Sequence, residues 1–130
     1  MVYIIGAGPG DPELITVKGQ RLLKEADVII YAGSLVNPAL LDYAKADCEI
    51  YNSASMTLGE VIETITAAEQ EGKMTVRLHT GDPAIYGAIQ EQMDELSRRN
   101  IEYTVIPGVS SFLATAAALK QEYTLPEISQ

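Results

Sequence analysis

Cysteine, histidine and basic residues are scarce in this chain of 130 residues. Cys48 is the only cysteine, so an internal disulfide is excluded. With His79 as the only histidine, the chain has too few nitrogen and sulfur ligands for a zinc site of its own. Nine Lys and Arg stand against 18 Asp and Glu, a formal net charge of −9. Because no run of basic residues is present, binding to nucleic acid or to anionic lipid is disfavoured.

Targeting signals and long apolar runs are missing as well. Met1 leads directly into Val2–Gly6, a stretch that is too short for a signal peptide and lacks its basic start. No apolar run of the sequence is long enough to span a bilayer. We therefore expect a protein of the reducing cytoplasm, without a membrane partner.

Two kinds of segment alternate along the chain, which is 47% hydrophobic. Short apolar runs rich in β-branched residues predict strands at Val2–Ile5, Val28–Tyr31, Glu49–Tyr51, Met74–Leu78 and Tyr103–Ile106. Helical spacing predicts helices at Val17–Glu25, at Ala39–Ala46, from a capping box at Thr57 to a stop at Gly72, along the stripe Ile85, Ile89, Met93 and Leu96, and at Ser111–Leu119.

This alternation predicts an α/β fold with an open, mostly parallel sheet of five strands flanked by helices. The strands read as apolar throughout, as expected where both faces of a sheet are covered. Residues 1–122 are predicted to form one domain. Residues 123–130 have extended character and a proline, and nothing in them closes the structure.

Unusual loops follow three of the predicted strands: Gly6–Pro12, His79–Gly87 and Pro107–Ser111. Ligands of open parallel sheets bind at the carboxyl ends of the strands, so these loops are the candidate site. The first loop does not fit the dinucleotide fingerprint, because Asp11 occupies the third glycine position and Pro9 lacks an amide hydrogen. NAD and FAD are therefore disfavoured, and no phosphate-binding P-loop motif is present.

The carboxylates in these loops have two interpretations from local sequence alone. Asp11 and Asp82 could face amino, hydroxyl or cationic groups of a ligand, or they could cap helices, since Asp-Pro is a common helix opening. His79, at a strand end, is interpreted as packed or capping rather than catalytic. Tyr86 could line a pocket or pack in the core.

The ordered loops resemble those of the tetrapyrrole methylases, which transfer methyl groups from S-adenosylmethionine. The resemblance rests on Ile5–Thr16, Gly81–Gly87 and Pro107–Ser111 and covers nearly the whole chain. Within the family, the chain looks most like the branch that methylates C11 of precorrin-4 or cobalt-precorrin-4 in cobalamin biosynthesis. The uroporphyrinogen III branch usually has charged residues where Ala32, Ala88 and Asn52-Ser53 stand here, which argues against that substrate.

The resemblance also implies roles for individual residues. It assigns the S-adenosylmethionine pocket to Pro9, Thr80, Gly81, Asp82, Ile85, Ser110 and Ser111. It places Asp11 toward the tetrapyrrole and makes it the best catalytic candidate, with no metal held by the protein. Family members have two domains and generally pair as homodimers, so the resemblance implies that residues 123–130 begin the connection to a second domain and that this N-terminal half is inactive alone.

Two other functions stay open at this point. One is a sister methylase that acts at another carbon, such as C20 or C17. The other is a small binding module that holds a ligand without chemistry.

Overall fold

A computed structural model describes residues 1–85 and 88–124 of the chain. Its sheet has five parallel strands in the order β3-β2-β4-β1-β5. The strands are β1 (Val2–Gly6), β2 (Val28–Tyr31), β3 (Glu49–Asn52), β4 (Thr75–His79) and β5 (Tyr103–Ile106). The predicted α/β class and the parallel sheet are confirmed, and each strand lies within a residue of its predicted bounds.

Four α-helices lie in the described part of the chain, and short polar side chains cap the start of each except the third. They are α1 (Val17–Glu25), α2 (Leu58–Gln70), α3 (Gln90–Arg98) and α4 (Ser111–Leu119). At α2, the Thr57 hydroxyl accepts a hydrogen bond from the Glu60 amide while the Glu60 carboxylate accepts one from the Thr57 amide. The predicted capping box is therefore confirmed, and Gly72 follows the helix with a φ of +71°.

Two of the helix predictions are wrong in part. Ala39–Ala46 contains no α-helix but a 3-10 helix, Pro38–Tyr43, whose opening is capped by the Asn37 side chain. Ile85 is not in α3, because its amide donates to the Asp82 carbonyl and closes a turn ahead of the helix. Ile85 is consequently 47% exposed, and only the later part of its stripe faces the core.

The core forms two layers, one on each face of the sheet. One face packs against α1 and the Pro38–Tyr43 turn, through Ile5, Leu22, Leu23, Ile29, Leu40 and Leu78. The other packs against α2 and α3, through Val28, Ile30, Val61, Ile62, Ile65 and Leu96. Each layer buries aliphatic side chains, which is the main favourable contribution to folding.

The edge strands depart from the prediction of strands buried on both faces. All four residues of β3 are exposed, and only Ile106 of β5 is buried. The helices cover the centre of the sheet, so the outermost strands have solvent on at least one side. Glu49 within β3 is consistent with this position, since charged side chains on an edge strand discourage pairing with another chain.

The last described residues of the chain lie beside α4. Tyr123 packs on Phe112, with ring centroids 4.5 Å apart. Residues 125–130, most of the predicted connection, lie outside the described residues, as does Tyr86. Over residues 1–85 and 88–124, no helix combines the length and the apolar composition required to cross a membrane.

Candidate functional site

The strand order creates a switch point between β1 and β4, which are neighbours in the sheet. From β1 the chain continues into α1 on one face of the sheet, and from β4 it continues into α3 on the other face. Adjacent strands whose connections diverge leave a crevice at their carboxyl ends, where ligands of such sheets bind. The loops after β1 and β4 both begin at this crevice, as the sequence prediction required.

Backbone hydrogen bonds join these two loops directly. The Ala7 amide donates to the His79 carbonyl at 2.6 Å, which extends the parallel pairing beyond the strands. Gly8 and Gly81 then exchange two bonds, of 3.2 Å and 2.8 Å, in an isolated antiparallel bridge. The loops therefore have a definite relative position rather than independent conformations.

The third loop meets the other two at a junction made of glycines. A Cβ atom on Gly6 would lie 2.6 Å from the Gly81 carbonyl oxygen and 2.7 Å from the Gly108 Cα. Real Cβ atoms do not approach backbone this closely, so the three backbones touch only because side chains are absent. The glycine junction (Gly6, Gly81 and Gly108) brings the predicted residues of all three loops to one edge.

Asp82 fastens the loop after β4 to the loop after β5. One carboxylate oxygen accepts from the Ala84 amide at 2.8 Å, which caps the local turn. The other accepts from the Gly108 amide at 2.9 Å, across 26 residues of sequence. Both oxygens are thus engaged in holding loops, and the capping interpretation of Asp82 describes this geometry better than a carboxylate aimed at a ligand.

Asp11 differs from Asp82 because it is exposed and engages one oxygen only. That oxygen accepts from the Glu13 amide at 2.9 Å and caps a single 3-10 turn, Pro12–Leu14. The second oxygen has no hydrogen-bond partner among the described residues, and the residue as a whole is exposed. Asp11 is therefore available to a ligand that approaches this edge.

Asn37, which sequence analysis did not select, holds the Asp11 loop in place. Its side-chain amide donates to the Gly10 carbonyl at 2.6 Å, and its carbonyl oxygen accepts from the Ala39 amide. The only local signal was the Asn-Pro pair, which is typical of a turn and carries no information about Gly10.

The remaining predicted residues lie at the same edge with different exposures. Ser110 is buried, its hydroxyl accepts from the Phe112 amide as the cap of α4, and its Cα lies 3.7 Å from a Cβ built on Gly81. Pro9 and Thr80 are half-buried, whereas Ser111 is exposed. Ile85 is also exposed, as is Phe112 at 61%, so the edge offers hydroxyls and apolar surface side by side.

His79, the last residue of β4, lies beneath the loops in the interior. His79 is 5% exposed, and burial together with the nearby Arg77 charge lowers its pKa to about 4. Its Nε2 has no hydrogen-bond partner among the described residues. His79 is therefore neutral at pH 7 and packed inside, in agreement with the packed interpretation.

Open grooves also flank α2, away from this edge. One of about 450 Å³ is lined by Glu49, Tyr51, Glu63, Thr64, Glu71 and Lys73. None of these residues belongs to the three loops, and the acidic side chains are already paired, Glu49 and Glu71 with Lys73 and Glu63 with Arg99. The groove has no arrangement of groups that points to chemistry.

Comparison with known proteins agrees with the loop geometry. The profile of the Tetrapyrrole (Corrin/Porphyrin) Methylases matches residues 1–130. The chain belongs to the tetrapyrrole methylase family. The family resemblance inferred from the loops is thereby confirmed.

Individual tetrapyrrole methylases match over nearly the whole chain. A cobalt-precorrin-4 C(11)-methyltransferase of Methanocaldococcus jannaschii is 64% identical over 129 residues, which are 99% of this chain and 50% of that protein. The crystal structure of a cobalt precorrin-4 methyltransferase is 52% identical, with a TM-score of 0.95 over 99% of this chain and 54% of that one. The chain thus spans about half the length of these tetrapyrrole methylases.

A more distant tetrapyrrole methylase structure contains a ligand. The uroporphyrin-III C-methyl transferase of Thermus thermophilus, complexed with S-adenosyl homocysteine, is 38% identical, with a TM-score of 0.76. That match covers 88% of this chain and 47% of the Thermus thermophilus chain.

Proposed function

We propose that this chain is the N-terminal part of an enzyme that transfers a methyl group from S-adenosylmethionine to C11 of precorrin-4 or cobalt-precorrin-4, in cobalamin biosynthesis. The observation that carries the proposal is the convergence of three loops at the β1–β4 switch point, joined by the glycine junction. The Methanocaldococcus jannaschii relative named for this activity supports the choice of reaction.

The residues at the edge fit S-adenosylmethionine better than a dinucleotide. The predicted cofactor residues supply hydroxyls, backbone groups and the exposed apolar side chain of Ile85, which suit a nucleoside without phosphates. Asp11 is an exposed carboxylate, which would repel a pyrophosphate and attract the cationic groups of the cofactor or substrate. The ligand in the Thermus thermophilus structure is consistent with this cofactor.

In this proposal the protein contributes mainly by positioning its two ligands. When bound, S-adenosylmethionine would supply an electrophilic methyl group for transfer to a ring carbon of the tetrapyrrole, with cleavage of its sulfur–methyl bond and release of S-adenosylhomocysteine. Thr80, Gly81, Ile85 and Ser111 hold the cofactor, and Asp82 keeps the loop after β4 against Gly108. Asp11 orients the macrocycle and stabilises positive charge that develops on it.

The substrate branch is supported by neutral residues at the edge. Ala32 is half-buried at the end of β2, and Ala88 is exposed just ahead of α3. Neither position carries the charged group that the uroporphyrinogen III branch usually has there. A substrate that is recognised through those charges would have no partner for them in this chain. Precorrin-4 or cobalt-precorrin-4 is therefore favoured over uroporphyrinogen III.

The proposal includes a second domain that completes the site. Residues 1–122 form the N-terminal domain, and residues 123–130 begin the connection to the rest. The chain's share of its relatives' length, about 50%, leaves room for a domain of similar size. Paired full-length chains then form a homodimer, which sedimentation of the longer protein would detect.

A binding measurement tests the cofactor half of the proposal. Calorimetric titration of the 130-residue chain and of the protein extended to its relatives' length would use S-adenosylhomocysteine, with NAD as the control ligand. We expect the longer protein to bind S-adenosylhomocysteine saturably and neither protein to bind NAD. Binding of NAD instead would overturn the proposal.

Product analysis with the longer protein tests the reaction. Incubation with precorrin-4 or cobalt-precorrin-4 and methyl-labelled cofactor should place the label at C11, and a label at another carbon would assign a sister methylase. Asp11→Asn should lower kcat by about 100-fold, on the scale of a lost electrostatic contact in the transition state. Glu13→Gln is the matched control, because this exposed acid lies two residues away and should leave kcat unchanged.

A further inference from the structure

Arg77 lies in the middle of β4 and is buried, with 5% of its surface exposed. Val76 and Leu78 on either side pack in the α1 layer, so Arg77 points to the opposite face, toward α2 and α3. Burial lowers the pKa of its guanidinium to about 10, which still leaves it charged at neutral pH. The interior layer between sheet and helices therefore contains a full positive charge.

This charge has no carboxylate partner within residues 1–85 and 88–124. The guanidinium instead donates from Nε to the Gln92 side-chain oxygen at 3.0 Å and from Nη1 to the Ile30 carbonyl at 3.1 Å. Removing a cation from water without an anion is costly, and an apolar residue of similar size would serve packing better. A stabilising role does not explain an arginine at this position.

The two acceptors of Arg77 are informative because of where they lie. Gln92 is in the first turn of α3 and is itself buried, whereas Ile30 belongs to β2. Arg77 stands two residues before β4 ends, and Gln92 follows the start of α3 by two residues. The Arg77–Gln92 bond therefore joins β4 to α3, the two elements on either side of the loop that follows β4.

The two sides of that loop are held by different contacts. Its beginning is held by the Gly8–Gly81 bridge and by Asp82, whereas α3 begins at Gln90, after a buried Ile89 whose side chain provides no cap. Without a cap, the first turn of a helix has free amides and frays easily. The buried Gln92 acceptor is then the polar anchor that joins the first turn of α3 to the sheet.

We propose that Arg77 is a positioning residue, which ties the first turn of α3 to β4 and β2 and thereby holds the loop with Thr80, Gly81 and Ile85 in its binding geometry. This inference rests on the proposed function only for the identity of the ligand. The two hydrogen bonds of Arg77 are present in the chain without ligand. The positioning role also accounts for the buried charge, because an arginine can reach both a helix and a neighbouring strand through separate N–H groups.

Arg77→Met separates positioning from stability. Methionine fills a similar volume without a charge. The substitution therefore distinguishes an arginine that only stabilises the fold from one that positions the loop. We expect unchanged or higher thermal stability, together with about tenfold faster hydrogen exchange at the Gly81, Ala84 and Gly108 amides. Amides of β1 and β2 should exchange as in the parent chain, because they depend on the sheet rather than on the loop.

Variants of Gln92 test the Arg77–Gln92 hydrogen bond from the side of α3. They also keep the proposal testable if Arg77→Met fails to fold. Gln92→Leu removes the acceptor and should reproduce the faster loop exchange, whereas Gln92→Glu keeps an acceptor and should preserve loop protection. Gln90→Leu is the matched control, since Gln90 is an exposed glutamine of the same helix that pairs only with Asp94 among the described residues.

Binding measurements on the protein extended to its relatives' length then test whether the hydrogen bonds of Arg77 affect ligand affinity. Arg77→Met and Gln92→Leu should raise the Kd for S-adenosylhomocysteine by about tenfold, the scale of one lost hydrogen bond to a charged group. Gln92→Glu and Gln90→Leu should leave this Kd unchanged. If the parent protein does not bind S-adenosylhomocysteine but Arg77→Met still speeds hydrogen exchange in the loop, the positioning role of Arg77 is supported and the cofactor assignment is wrong.

Two results would overturn the positioning role. One is normal protection of the Gly81, Ala84 and Gly108 amides in both Arg77→Met and Gln92→Leu. The other is an equal loss of protection in the loop and in β1 and β2 with a lowered Tm, which would show that Arg77 only stabilises the fold.

Discussion

Replacing Asp82 by alanine tests how the three loops are held together. The substitution removes both acceptors, so the Gly108 amide loses its partner across 26 residues and the Ala84 amide loses its turn cap. Asp82 and Gly108 are both half-buried, and the Gly108 nitrogen lies beside the backbone of Gly6, so water replaces the carboxylate only in part. The loss is therefore larger than that of a surface carboxylate.

The size of the effect follows from these two bonds. An amide that loses its partner in a packed setting costs about 1–3 kcal/mol, and a lost cap costs about 1 kcal/mol. The free energy of unfolding should fall by about 2–4 kcal/mol in total. For a domain of this size each kcal/mol lowers Tm by roughly 4 °C, so Asp82→Ala should melt roughly 8–16 °C below the parent chain.

Urea unfolding followed by circular dichroism measures this difference, with thermal melts as a second reading. Asp94→Ala is the matched control, because it makes the same change of charge at an exposed position and should shift stability by less than about 0.5 kcal/mol. If Asp82→Ala unfolds within that margin of the control, Asp82 does not fasten the loops, and its carboxylate is available to a ligand after all.

Two further predictions concern the interior and a helix end. Because His79 has a folded pKa of about 4 against 6.5 for an unperturbed histidine, its contribution to stability is fully present above pH 6.5 and is lost as the pH falls toward 4. Between pH 7.5 and pH 5 the parent chain should lose about 2 kcal/mol more stability than His79→Gln in urea unfolding, and equal losses would contradict a neutral buried histidine. Thr57→Ala should cost about 1 kcal/mol in the same assay while Thr57→Ser costs little, and an unchanged midpoint for the alanine variant would show that the capping box contributes nothing.

Elements with strong local signals were predicted well from the sequence. The bounds of α1 and α4 agree with their predicted ranges, and α2 begins at its capping box. These features depend on residues within a few positions of one another. The turn at Pro38–Tyr43 shows the limit, because an apolar pattern there coexists with an Asn-Pro start that favours a tight turn.

The candidate site was predicted as a set of loops but not as a set of interactions. The order of the glycine and proline motifs along the chain indicated the family and the loops that carry the predicted residues. It did not indicate that Asp82 would bind the Gly108 amide or that Asn37 would hold Gly10. Each of those bonds joins residues more than 20 positions apart, so no local pattern records it.

The sequence alone determined the alternation of strands and helices, the capped helix starts and the loops at the strand ends, since each depends on neighbouring side chains. Only the tertiary structure placed β4 between β2 and β1, and this order decides which loops touch. It also placed Arg77, 47 residues from Ile30 in sequence, within hydrogen-bond distance of that residue's carbonyl. Such contacts arise because the chain packs two helical layers on one sheet, and that packing depends on all of the buried surfaces together.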